Sequence, residues 1–244
     1  SIGRVQTPTL AMLVLRQKEI NLFKSETYWE LKTTYRSVLF SSVQGKLDNK
    51  QEGDQLVEEI TNSEFSVISY EQKEGKEAPP RLYDLTAIQI ECNKKFSFSA
   101  EYTLNYVQKL YEKKLVTYPR VDTTYLPMDV YPKIVGIMEK LTPYAKLTAP
   151  LLKEKIRKST KVFNNKKVTD HHAIIPTGEY PNGLSLQEKQ VYDTITKRFI
   201  SVFYPDCKVS NTAVLGAVKE IKFKATGKQI IDPGWRLVYH SEQK

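Results

Sequence analysis

The sequence predicts an α+β protein in which helical and β-rich stretches follow one another: a helix, a β-rich unit, a helical unit, a further helix and a second β-rich unit. Three observations predict it. Residues 8–20 and 84–111 carry apolar side chains at helical spacing, residues 27–42 alternate apolar with polar side chains, and alternation returns from Cys207 onward. At 244 residues the chain can bury one large or two medium cores of its own.

The chain opens Ser1-Ile2-Gly3-Arg4-Val5-Gln6-Thr7-Pro8, and a start at Ser1 suggests a piece of a longer protein. Thr7 is the expected N-cap and Pro8 the first helical residue, where a missing amide hydrogen costs nothing. Leu10, Leu13 and Val14 give this helix an apolar face. A Gly-Arg-x-Gln segment at a helix N-terminus can hold an anion on free backbone donors, and a solvated loop fits the same residues. From 27 to 42, Trp29, Leu31, Thr33 and Tyr35 alternate with polar residues as a half-exposed strand, and 45–50 reads as a turn. A short helix follows at 55–61 with Leu56, Val57 and Ile60 inward, then a strand at 65–70. Residues 71–80 are charged and end in Pro79-Pro80, which reads as a linker.

Asp84 and Ser99 are expected caps for two helices, the first carrying Leu85, Ile88, Cys92 and Phe96, the second Leu104, Val107, Leu110 and Tyr111. Pro127, Pro132, Pro143 and Pro150 break the next stretch into short helical pieces. Residues 157–167 form a basic run, readable as a phosphate-facing loop or a solvated one. Ser185 and Glu188 form a capping box for a helix with Val191, Ile195, Phe199 and Val202.

Net charge is +9, with 37 Lys and Arg against 28 Asp and Glu, and there are 15 tyrosines. Cations that track phosphates and rings that stack on unpaired bases suit a nucleic acid, although lysines also simply solubilise. Cys92 and Cys207 are far apart and show no metal spacing, so a reduced pair is expected. No apolar run has the roughly 18 residues of a membrane span and the N-terminus lacks a signal-peptide layout, so a cytoplasmic protein without membrane partners is expected.

Two stretches carry chemistry. The first is Thr117-Tyr118-Pro119-Arg120-Val121-Asp122, which follows directly on the second of the capped helices. Pro119 should end regular structure near Tyr118 and present the phenol at an edge. A phenol, with an ordinary pKa of about 10, is a weak nucleophile at neutral pH. Arg120 is a neighbour that favours phenolate and can grip a phosphate bidentately. An ordinary surface turn would also explain the three residues Tyr, Pro and Arg. The second stretch is Asp170-His171-His172-Ala173-Ile174-Ile175-Pro176-Thr177. Adjacent histidines in an extended segment point to opposite faces and make a poor metal pair, whereas a single His acting on a phosphate or a proton is chemically accessible. A buried structural His beside a solvated one is the competing reading.

Together Ser1–Pro8, Lys109-Leu110-Tyr111-Glu112 with Thr117–Asp122, and His171–Thr177 resemble the type IA DNA topoisomerases, in particular their bacterial topoisomerase III branch. The resemblance covers nearly the whole chain. It implies that Tyr118 attacks a single-stranded DNA phosphodiester and keeps the 5′ phosphate as a phosphotyrosine, so that religation needs no ATP. No Gly-x-x-x-x-Gly-Lys-Ser/Thr loop occurs here. Arg120 matches the arginine that positions tyrosine and phosphate, and His171, rather than His172, matches the active-site histidine. Arg4 and Gln6 match a loop that contacts the strand, and Asp122 matches the acid two residues after the arginine, a local orienting group. Val121 stands where Thr or Ser is usual.

The resemblance also implies an architecture: residues 1–24 as a helical piece of a DNA-binding domain, 25–80 and 180–244 as two parts of a β-rich arch, and 81–179 as an inserted helical domain carrying the tyrosine. The family's Mg²⁺-binding Toprim domain would precede Ser1. The chain alone is therefore expected to fold without relaxing or decatenating DNA, and no small-molecule substrate is expected. A non-catalytic single-strand-binding module or a purely structural arch are the alternatives.

Overall fold

The computed structural model describes residues 3–239. Contacts divide the chain into two compact units, residues 1–72 with 212–227, and residues 73–211 with 228–244. No helix among the described residues is long and apolar enough to cross a membrane.

In the first unit, helix α1 spans Gln6–Leu22. Its N-cap is Val5 rather than Thr7, and no side chain caps it. The helical turn has already begun at Gly3, whose carbonyl accepts from Thr7 N at 3.2 Å, and proline is tolerated anywhere in the first turn because those amides lack helical acceptors. The apolar face read from the sequence buries nothing: Leu10, Leu13 and Val14 are all exposed.

The single strand expected at 27–42 is a hairpin of β1 (Trp29–Tyr35) and β2 (Val38–Leu47). It turns at Arg36 and Ser37, both with positive φ (46° and 65°) and paid for by no glycine, while Gly45 lies inside β2. Helix α2 runs Lys50–Ile60, capped by Asn49 Oδ1 from Gln51 N at 2.8 Å, and turns Leu56 and Ile60 inward while Val57 stays exposed. Strand β3 extends over Phe65–Glu77, so the charged stretch read as a linker is mostly strand. With β4 (Cys207–Val218) and β5 (Ile221–Asp232) it completes a five-stranded sheet in the order β1-β2-β5-β4-β3. Leu31, Phe40, Val218, Ile221 and Phe223 form the core of this unit, with Phe65 stacked on Tyr35 at 4.7 Å.

The second unit is helical. Asp84 caps α3 (Leu85–Phe96) through Ala87 N at 2.7 Å, and Ser99 caps α4 (Ala100–Glu112) through Tyr102 N at 3.1 Å. The proline-rich stretch forms α5 (Ile134–Lys140) and α6 (Ala145–Leu152) with short 3-10 turns. Helix α7 (Leu186–Ser201) begins at the expected Ser185/Glu188 capping box. It packs on α4 and α3, placing Val191, Tyr192 and Ile195 in one apolar cluster with Ile88, Val107 and Leu110. A second cluster gathers Leu126, Ile134, Met138, Phe163 and Phe199. Cys92 and Cys207 are both buried free thiols.

Candidate active site

Four short extended pieces converge where α4 ends. Leu115 to Thr117 lies antiparallel to Ile175 to Thr177: Thr117 N donates to Ile175 O at 2.9 Å and Thr177 N to Leu115 O at 3.1 Å. On its other flank Ile174 N donates to Tyr83 O at 2.8 Å, and Ala173 N to Tyr125 O at 3.0 Å. Thr117 ties the two sides together, its hydroxyl accepting from Ile175 N at 3.0 Å and donating to Ala173 O at 3.1 Å. Leu115, Val116, Ile174 and Ile175 are buried, so apolar packing and backbone pairing fix this junction together.

The junction sets two rings side by side. Tyr118 follows Thr117 on one piece and His171 precedes Ala173 on the other, and their ring centroids are 4.4 Å apart at an interplanar angle of 36°. Tyr111, the penultimate residue of α4, meets Tyr118 edge-on at 5.5 Å. Tyr118 is half-buried, with its ring against the cluster below, and His171 is exposed. His172 turns away, with Nδ1 2.8 Å from Ala173 O.

Beyond Pro119 the extended chain alternates. Val121 is buried in the apolar cluster and Thr123 is buried with its hydroxyl on Lys167 O, whereas Arg120 and Asp122 face solvent. The apolar Val121 thus has a structural reason: it sits among Tyr83, Ile88 and Leu115. Two further cations line this edge, Arg81 and Lys167, whose charged heads lie 5.2 and 5.0 Å from the Tyr125 ring centre. At the α4 end, Lys113 donates to both oxygens of Glu188 at 3.1 Å, and Ser185 N to one of them at 2.8 Å. That backbone donor first, and Lys113 second, hold the Glu188 carboxyl below the usual carboxylate range.

Of the six residues singled out in the sequence, the structure brings Tyr118 and His171 into contact and sets Arg120 and Asp122 on the same exposed edge. Arg4 and Gln6 are exposed and belong to the first unit. Arg81 and Tyr125 carry no signal of their own in the sequence, whereas Thr117 opens the tyrosine stretch and Lys167 closes the basic run read there. A cavity of about 760 Å³ lined by Phe96, Tyr144, Tyr180, Tyr192 and Asp193 contains none of the site residues. Among the described residues no group of three or more His, Cys, Asp or Glu side chains could hold a metal ion.

Comparison with known proteins places the chain as a whole. The family described as DNA topoisomerase matches residues 1–244. DNA topoisomerase 3 of Bacillus licheniformis is 37% identical over 98% of this chain and 34% of its own length, and that of Bacillus subtilis strain 168 is 36% identical with the same coverage. The solved structure of full-length topoisomerase I from Thermotoga maritima superimposes over 100% of this chain and 41% of its own, with a TM-score of 0.74 at 24% identity. The chain spans about a third of the length of the curated relatives it matches. On sequence and fold together, it belongs to the type IA DNA topoisomerases as part of a protein of the bacterial topoisomerase III kind.

Proposed function

We propose that this chain supplies the nucleophile of a DNA strand-passing enzyme: Tyr118 cleaves one strand and later gives it back. The Tyr118 hydroxyl oxygen attacks phosphorus, the bond from phosphorus to the 3′ oxygen breaks, and the 5′ phosphate stays on the tyrosine. The phenolic proton leaves to a base and the departing 3′ oxygen takes one up. Attack by that 3′ hydroxyl reverses the step, so the ester energy is kept and no nucleotide is consumed. The observation that carries this reading is the contact of the Tyr118 and His171 rings at 4.4 Å beside Arg120.

The side chains divide the work. His171 packs against the Tyr118 ring, a contact that leaves the phenolic oxygen free for phosphorus and the imidazole free to act on the phosphate. Arg120 supplies a planar guanidinium for the non-bridging oxygens, where negative charge grows in the transition state. Arg4 and Gln6 in the first unit and Asp122 beside the tyrosine contact the strand away from the reacting atoms. The chain alone binds single strands without relaxing DNA, because the metal-holding acidic residues of the whole enzyme lie on its other two thirds.

Mixing this chain with a separately produced Toprim domain, single-stranded DNA and Mg²⁺, then denaturing with detergent, tests the reading. A protein–DNA adduct that vanishes in Tyr118→Phe is expected, with Arg120→Ala and His171→Ala reducing its yield at unchanged folding. An adduct that survives Tyr118→Phe, or relaxation by the chain alone, would overturn it.

A further inference from the structure

The basic run after α6 has no part in the chemistry at Tyr118, yet the fold holds it in place. Residues 153–167 carry seven Lys and Arg against Glu154, a net +6 of the chain's +9. Crowding like charges disfavours the compact state unless something gains from it. A solvated charge run needs no anchors, but this one is pinned at both ends. Ile156, Val162 and Phe163 are buried, and Tyr131 Oη donates to Ile156 O at 2.7 Å. Phe163 bridges in parallel to Leu126, with Leu126 N donating to Val162 O at 2.8 Å and Asn164 N to Leu126 O at 2.9 Å. Asn165 Oδ1 accepts from Met128 N at 2.7 Å, and Lys167 O from the Thr123 hydroxyl.

Every one of these outer bonds reaches the segment that starts at Tyr118. Eight residues separate Tyr118 from Leu126, so the strap begins within about 28 Å of the nucleophile even were the chain fully extended. Arg81 and Lys167 sit on the ring of Tyr125, the residue before Leu126, and Lys158 lies over the Tyr131 ring at 5.3 Å. A hollow of about 250 Å³ lined by Arg81, Arg157, Ser159 and Lys161 adjoins Asp206, whose carboxylate is taken by Arg157 at 2.9 Å.

We propose that this strap is a second DNA contact, a track of Lys and Arg that holds backbone phosphates of the same single strand that Tyr118 engages. The inference rests on the reading of Tyr118 as a single-strand site. A hydrogen-bonded backbone, with the ammonium heads of Lys158 and Lys167 over tyrosine rings, places the charges before the strand arrives, which lowers the ordering cost of binding. Ammonium groups on flexible stems read phosphate and not base edges, so the track is indifferent to sequence.

The test is fluorescence anisotropy of a labelled oligothymidine titrated with this chain over a salt series. Lys158, Lys161 and Lys166 are exposed. Replacing all three by Ala is expected to make the slope of log K against log salt shallower by about 2, since each single-strand phosphate contact contributes about 0.7. That difference amounts to a loss of about a hundredfold at 0.1 M salt relative to the 1 M extrapolate. The triple Lys→Arg variant should keep the wild-type slope, and single Ala variants, should the triple lose its fold, should each remove about one third of the effect. A salt-dependent slope unchanged by the Ala substitutions overturns the strap and leaves the Tyr118 reading standing. Absence of binding by the wild-type chain at low salt overturns the strap together with single-strand binding by the chain alone, leaving Tyr118 to the adduct test, and duplex DNA competing as well as single-stranded DNA overturns the assignment to the cleaved strand.

Discussion

Thr117→Val is the most direct probe of how the site is held. Valine keeps the shape and the β-branched stem of threonine but removes the hydroxyl that accepts from Ile175 N at 3.0 Å and donates to Ala173 O at 3.1 Å. Ala173 O retains His172 Nδ1 at 2.8 Å, so the main loss is the partner of the Ile175 amide, which sits on a residue only 1% exposed. A buried donor left without an acceptor costs about 1–3 kcal/mol. The backbone bond from Thr117 N to Ile175 O survives, which argues for the middle of that range, about 2 kcal/mol. For a chain of this size that lowers the melting temperature by about 4–8 °C. Chemical denaturation followed by circular dichroism measures it, with Thr117→Ser as the control that keeps the hydroxyl and should stay within about 0.5 kcal/mol of wild type. Adduct yield with the Toprim partner should fall as well, because Tyr118 and His171 hang on the two pieces that Thr117 joins. A Thr117→Val chain as stable as wild type, with its adduct yield intact, would show that the hydroxyl does not hold the junction.

Two other outcomes follow from the packing. Glu188 is held below its usual range, so its contribution to stability is complete above the ordinary carboxylate value of 4.5 and is lost as pH falls through the lower folded value. Denaturation midpoints measured from pH 6 downward should therefore drop below about pH 4.5, and Glu188→Gln, which keeps an acceptor for Ser185 N, should flatten that part of the profile. In the first unit, a Cβ on Gly216 would land inside the Phe65 ring and 3.0 Å from Ser66 O. Gly216→Ala should cost about 1–3 kcal/mol by overpacking, read from the shift of the unfolding midpoint.

What the sequence reveals of the fold depends on how local the cause is. The caps at Asp84, Ser99 and Ser185 are legible because one side chain and an amide two or three residues on decide each of them. The Arg36-Ser37 turn is not, because hairpin turns with positive φ announce themselves through Asn and Gly, and here the pairing of β1 with β2 imposes that conformation on residues that do not favour it. The stretch from Glu71 to Glu77 is strand for a similarly distant reason. Its composition is that of a linker, but its backbone bonds go to partners more than a hundred residues later, and its end is fixed by Trp235 Nε1 on Glu77 O at 2.9 Å and by Lys228 and Arg236 on the Glu77 carboxylate. Composition reports solvation, and a strand whose faces are both wet leaves no hydrophobic alternation to read.

The site divides along the same line. A proline and an arginine just after Tyr118 mark it as an unusual tyrosine, but nothing near it in the chain shows that its ring neighbour comes from the segment that Thr117 grips 56 residues later. The geometry of that neighbour matters for what Tyr118 can do. Were His171 hydrogen-bonded to the phenol, its imidazole would compete with the phosphate for the attacking oxygen and would have to withdraw before the bond to phosphorus formed. Packed on the ring face, it restrains the tyrosine without occupying the oxygen, and Tyr111 restrains the same ring edge-on from α4. On the proposed reaction, the nucleophile makes one bond, waits as a covalent ester through strand passage and is then displaced along the same line, so its ring has to be held throughout the wait. Two ring contacts supply that hold on either side of the reaction, because neither involves the atom whose bonding changes.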